Sequence, residues 1–154
     1  HAYGNVGRNV ARIAKGFGMD IYAFDAFCPK EVIEKDGVKA VSSAEELYAA
    51  CNIVSLHIPA TAETKNSINY ELVNKMPKGG VLVNTARKEV INEAELIRLM
   101  EERTDLKYVT DIMPVAHAEF YGKICRPLFR YTEKEWGPRR LKQISTQVSL
   151  LPDK

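Results

Sequence analysis

Short, unbroken apolar runs alternate with stretches of helical periodicity along most of this chain, and that alternation leaves few folds open. The clearest run is Gly80-Val81-Leu82-Val83-Asn84; Ile21 to Phe24, Asn52 to Leu56 and Leu106 to Ile112 are similar. Such runs suit strands buried on both faces of a parallel sheet. Between them lie helical patterns. Val6, Val10, Ile13, Ala14 and Phe17 recur at helical spacing over about Asn5 to Phe17, and Gly18 supplies a stop. Ser43 with Glu46 makes a capping box for a helix whose apolar face is Leu47, Tyr48 and Ala50. Tyr70 to Met76 reads as a short helix closed by Pro77 and Gly79. Asn92 with Glu95 caps a helix that carries Ala94, Leu96, Ile97, Leu99 and Met100 and ends near Arg103. Strands and helices of these lengths, joined by short loops, predict right-handed crossovers and an α/β, doubly wound parallel sheet of Rossmann type.

At 154 residues the chain fits one domain, and 45% hydrophobic with 27% charged residues excludes a disordered or fibrous class. No apolar run is long enough for a membrane span and no secretory signal opens the sequence, so a cytoplasmic location is expected and a membrane partner is not. Cys28, Cys51 and Cys125 are too few and too widely spaced for a disulfide framework or a zinc site, and no metal is expected. Positive charge collects after Arg126, where Arg126, Arg130, Lys134, Arg139, Arg140, Lys142 and Lys154 face only Glu133, Glu135 and Asp153. This is read as a solvated end, and nucleic acid is not an expected partner.

Ahead of the first helix, Ala2-Tyr3-Gly4-Asn5-Val6-Gly7 makes an A-x-G-x-x-G turn, a dinucleotide fingerprint with its first glycine replaced. Gly4 lets the backbone approach a pyrophosphate, Gly7 lets the helix pack closely, and the helix N-terminus offers free N–H groups. Ala2 requires ordinary backbone angles in this reading. Asp25, at the end of the next apolar run, is placed to accept hydrogen bonds from the adenosine ribose hydroxyls and to repel a 2′-phosphate, so NAD is favoured over NADP.

Two further blocks stand at strand ends: His57-Ile58-Pro59-Ala60-Thr61-Ala62-Glu63-Thr64 and Asn84-Thr85-Ala86-Arg87. The L-H-x-P-x-T-x-x-T and V-N-T-A-R patterns, separated by a helix ending in M-P-K-G-G, resemble the D-2-hydroxyacid dehydrogenases over about Ala2 to Ile112. The resemblance implies that Arg87 holds the carboxylate of a 2-hydroxy or 2-oxo acid, a task suited to a planar guanidinium that grips bidentately. It places Gly4, Asn5, Val6, Gly7, Asp25, His57, Ile58, Pro59, Thr64, Thr85, Ala86, Arg87 and Asp111 along NAD, with Asp111 near the nicotinamide amide. His57 is not the family's catalytic histidine.

The family's general acid is a histidine in a T-P-H block, paired with a glutamate five residues beyond the aspartate that matches Asp111. Ala116 stands at the glutamate position, and the nearest analogue of the block, Thr132-Glu133-Lys134, puts Lys134 where the histidine would be. His117 and Glu119 match no family position, and Lys88 replaces the glycine that follows the arginine. A lysine with a pKa depressed by burial can serve as proton donor, which makes Lys134 the catalytic candidate beside Arg87. The expected organisation is a dinucleotide domain over 1–113 with its first strand truncated, an atypical tail over 114–154, and no substrate domain. The expected function is an NAD-linked oxidoreductase module acting on a 2-hydroxy acid, inactive as this stretch alone and homodimeric in a longer form. The alternative is a non-catalytic NAD-binding module of the corepressor type.

Overall fold

A computed structural model describes residues 1–111. In chain order the elements are α1 (Asn5–Gly16), β1 (Tyr22–Ala23), α2 (Lys30–Lys35), β2 (Lys39–Ala40), α3 (Ala44–Ala50), β3 (Ile53–Leu56), α4 (Tyr70–Asn74), β4 (Val81–Asn84), a 3-10 turn (Lys88–Val90), α5 (Glu93–Glu102) and β5 (Lys107–Thr110). All strand pairs are parallel: β1 with β2, and β3-β4-β5 in that order. Each expected helix and strand is present, slightly shorter than its sequence pattern. The sequence reading missed α2, β2 and the 3-10 turn.

His1 and Ala2 join the two sets of strands. The His1 nitrogen donates to the Ser55 carbonyl at 2.9 Å, His57 N–H donates to the His1 carbonyl at 2.9 Å, and Ala2 N–H donates to the Phe24 carbonyl at 2.8 Å. One dipeptide therefore bonds to the ends of β1 and β3 together.

Local chemistry accounts for the helix ends. Ser43 Oγ accepts from Glu46 N–H, while the Glu46 carboxylate reaches past the cap to Ser42 N–H at 2.7 Å. Asn92 caps α5, and the Glu95 carboxylate accepts from Tyr70 N–H at 2.9 Å, tying the start of α4 to α5. Past α5, Arg103 grips Asp105 with two bonds of 2.9 Å, and its remaining N–H groups donate to Asn74, Met76 and Pro77 carbonyls. That guanidinium fills the orphan acceptors after α4, as cations at a helix C-terminus do.

The main core gathers residues of β3, β4 and α3 to α5, including Leu47, Tyr48, Val54, Leu56, Leu82, Leu96 and Leu99. A smaller cluster of Tyr3, Ala11, Ala23, Ile33 and Val38 holds α1 and α2 to β1 and β2. Several expected burial patterns do not hold. On α1 the buried residues are Gly7 and Ala11, whereas Val6, Val10, Ile13 and Phe17 are exposed. Helical periodicity identifies the helix but does not say which face is covered. Ala50 and Ala94 are exposed as well. In β3 only Val54 and Leu56 are buried while Ile53 is exposed, and in the first run only Ala23 is buried, so these are half-buried strands.

Candidate dinucleotide and carboxylate site

Because every strand runs the same way, their carboxyl ends share one edge, where doubly wound folds bind ligands. The glycine turn follows Ala2, Asp25 lies just past β1, His57 follows β3, Thr85 follows β4 and Asp111 follows β5. The structure thus brings the five segments of sequence-predicted site residues to one edge.

Ala2 departs from expectation. Its φ is +75°, a left-handed backbone that favours glycine, so the turn keeps its shape with an alanine strained in the first glycine's place. Gly7 is constrained by that same residue: a Cβ there would run into the Ala2 carbonyl oxygen and lie 3.5 Å from His57 Cδ2. Around Gly4 there is nothing within 4 Å of a Cβ position, so the open space it borders is available to an approaching group. No side chain caps α1 and no acidic residue sits in its first turn, which leaves the first N–H groups directed at that space, as an anionic pyrophosphate requires. Asn5 and Val6, in this first turn, are exposed.

Asp25 is anchored more firmly than a solvated strand-end acid. Its Oδ2 accepts from Tyr3 N–H at 2.7 Å and its Oδ1 accepts from Phe27 and Cys28 N–H at 2.8 Å each. Partial burial pushes the carboxyl pKa up, but the three N–H donors outweigh it and the net position is below the ordinary range. The group is ionised, and Oδ2 keeps a lone pair for a further donor. His57 is half-buried, and burial, with the nearby terminal amino group adding to it, lowers its pKa to about 4. It is a neutral wall beside Gly7. The Ile58 side chain belongs to the main core, so only its backbone borders the edge, whereas Pro59 is exposed. Thr64 folds its hydroxyl inward, donating to the Pro59 carbonyl at 2.6 Å and accepting from Thr61 N–H at 2.8 Å. Its hydroxyl shapes the loop.

Past β4, Thr85 and Arg87 are exposed and Ala86 is half-buried. Among the described residues the Arg87 side chain donates from Nη1 to the Ala86 carbonyl at 2.7 Å and pairs with no carboxylate. The turn is held by Asn84, to which sequence reasoning gave a place at the strand end and in the V-N-T-A-R block but no role of its own. An asparagine two residues before a turn N–H is a known closing device and was the available signal. Asp111 is exposed at the end of β5. Ala116, His117, Glu119 and Lys134 lie outside the described residues, as does the expected boundary after Met113. A cavity of about 380 Å³ lies on the flank of α1, lined by Tyr3 of the glycine turn together with Arg8, Arg12, Lys15 and Asp36 among others. Among the described residues no cluster could hold a metal ion, and no helix is long and apolar enough to cross a membrane.

A parallel sheet, an uncapped glycine turn and an ionised acid after the next strand define a dinucleotide-binding domain. Residues 1–122 match the family of the D-isomer specific 2-hydroxyacid dehydrogenase, NAD binding domain, and the chain belongs to that family, whose cofactor is NAD. It is 37% identical over 99 residues to D-3-phosphoglycerate dehydrogenase of Methanocaldococcus jannaschii, covering 64% of this chain and 19% of that protein. It is 31% identical over 126 residues to the Haemophilus influenzae enzyme of the same name, covering 82% and 30%. The NAD+-bound 3-phosphoglycerate dehydrogenase of Entamoeba histolytica superposes with a TM-score of 0.71 at 46% identity, over 78% of this chain and 37% of that one. The chain therefore spans less than a third of the length of these curated relatives.

Proposed function

We propose that this chain is the NAD-binding module of an enzyme that oxidises 3-phosphoglycerate to 3-phosphohydroxypyruvate in L-serine synthesis, in the cytoplasm and as a homodimer in its longer form. The observation that carries the reading is Arg87: an exposed guanidinium on a fixed turn at the sheet's carboxyl edge, with no acidic partner among the described residues. A planar fork so placed grips a substrate carboxylate bidentately and orients the adjacent C2 carbon. Asp25 accepts from ribose hydroxyls through its remaining lone pair, and Asn5, Val6 and Gly7 N–H groups receive the pyrophosphate. His57, Pro59, Thr85, Ala86 and Asp111 border the cofactor, with Thr64 acting through its loop. NAD, when bound, supplies the hydride acceptor. Lys134 is assigned the hydroxyl proton on its match to the T-P-H block. This stretch alone turns over negligibly in this reading.

Calorimetric titration tests the cofactor assignment: NAD binds, NADP binds more weakly, and tighter NADP binding would refute it. For the substrate, Arg87→Lys in a form that turns over keeps the charge but loses the fork. Its kcat/KM falls by roughly thirty- to more than a hundredfold, the equivalent of about 2 to 3 kcal/mol, while NAD affinity holds. Near-full activity, or NAD binding lost in parallel, would make Arg87 structural.

A further inference from the structure

Asn84 is the single polar residue buried among the described ones, with 0% exposure. It occupies an inward-facing position of β4, two residues after Leu82, where an apolar side chain would satisfy the core equally well. A carboxamide there is costly to bury unless its oxygen and nitrogen are hydrogen-bonded, and both are. Oδ1 accepts from Ala86 N–H at 3.0 Å; Nδ2 donates to the Arg87 carbonyl at 3.0 Å and to the Tyr108 hydroxyl at 3.3 Å. The amide orientation is fixed by these partners, since an N–H faces the oxygen and a carbonyl faces the nitrogen. From β5, Thr110 Oγ1 also donates to the Asn84 carbonyl at 2.7 Å, in register with the Asn84 to Thr110 pairing.

We infer that Asn84, keyed by Tyr108, is a positioning residue that sets the turn from which Arg87 presents its guanidinium to the substrate carboxylate. The inference rests on the proposed role of Arg87. The Asn84 side chain bonds to the backbone on both sides of the Ala86–Arg87 peptide, so the direction in which Arg87 leaves the sheet follows from the amide's geometry. Among the described residues the Arg87 side chain bonds to the Ala86 carbonyl, and that acceptor belongs to the same clamped turn. The surrounding core supports Asn84 from below, and the Tyr108 hydroxyl limits rotation of the amide. Losing that hydroxyl frees one amide N–H without altering the Arg87 side chain.

The test uses the full chain saturated with NAD and titrated with oxamate, an isostere of a 2-oxo acid, followed by NMR together with NAD affinity and amide exchange at Ala86 and Arg87. Tyr108→Phe weakens oxamate about threefold, in line with one neutral hydrogen bond. Asn84→Asp, which keeps the acceptor for Ala86 but removes both donors, weakens it tenfold or more and speeds exchange at Arg87. NAD affinity stays within twofold in both. In an Arg87→Lys background the Tyr108→Phe effect disappears, which a general loss of structure would not produce. If Arg87→Lys weakens oxamate while Tyr108→Phe and Asn84→Asp leave it within twofold, the positioning role is wrong and the Arg87 role stands. If Arg87→Lys has no effect, or the parent binds no oxamate, the Arg87 reading fails and the role of Asn84 fails with it. Should Asn84→Asp not fold, Tyr108→Phe and its combination with Arg87→Lys decide the matter.

Discussion

The two halves of the sheet are held together by different means. Around β3, β4 and β5, eighteen buried residues among those described form one continuous core, with Leu56, Leu82, Leu96 and Leu99 almost wholly enclosed. Around β1 and β2 the buried cluster has five residues, and polar tethers supplement it: the Asp25 carboxylate on three N–H groups, Tyr3 Oη donating to Asp36 at 3.1 Å, and Lys15 reaching the Asp36 and Gly37 carbonyls. The difference teaches that the turn bearing Arg87 is backed by the larger core beneath its Asn84 clamp, whereas the glycine turn rests on a small cluster and on hydrogen bonds to its backbone. Damage to the first half is therefore a loss of global stability, and damage to the second is a local loosening felt by the dinucleotide.

Leu82→Ala breaks the comparison most severely. It removes a side chain 1% exposed in the central strand of the larger core and costs about 3 kcal/mol in denaturant unfolding. Ile33→Ala, equally buried in the smaller cluster, costs about 2 kcal/mol and speeds hydrogen exchange in β1 and β2 while β3 to β5 keep their protection. Uniformly faster exchange across both halves would show a single cooperative unit. Ala2→Gly relieves the positive φ and raises stability by about 1 kcal/mol, read as a higher melting temperature; a fall would mean the alanine methyl stiffens the turn more than it strains it.

The last effect is one of pH. His57 has its folded pKa lowered to about 4 against an ordinary 6.5, so the unfolded chain takes up that proton first as pH falls. This contribution to stability is present above about pH 6.5 and is lost progressively toward pH 4. Unfolding midpoints of His57→Gln measured over that window should decline less steeply than those of the parent; parallel curves would show that His57 is not the group responsible.

Much of this architecture was legible from residue order. The caps at Ser43 and Asn92 follow from short polar side chains three residues before an N–H they can reach, and the apolar runs of β3 and β4 follow from their neighbours' punctuation. What escaped was short or depended on three-dimensional partners. The six residues of α2 bury only Ile33, and β2 is two residues long, too little for a period to register. The outward face of α1 and the strain at Ala2 are properties of surroundings that a sequence window does not contain. At the site, the positions of Asp25 and Arg87 could be read from motifs, but not the triple anchorage of the first or the Asn84 clamp beneath the second, because both are made of backbone groups brought close by folding.

The anchorage of Asp25 bears on how cofactor preference can be redesigned. In an enzyme whose strand-end acid points freely into solvent, exchanging it for a neutral or basic residue is a local edit of charge. Here the same carboxylate is the hub of the Tyr3, Phe27 and Cys28 backbone, so removing it to admit a 2′-phosphate unpins the glycine turn and the loop after β1 in the same stroke. With Asp25 in its proposed ribose-binding role, specificity and rigidity are vested in one side chain. A variant that accepts NADP must bring replacement acceptors for those three N–H groups along with its new cation, and a swap at Asp25 alone yields a chain that binds both dinucleotides poorly.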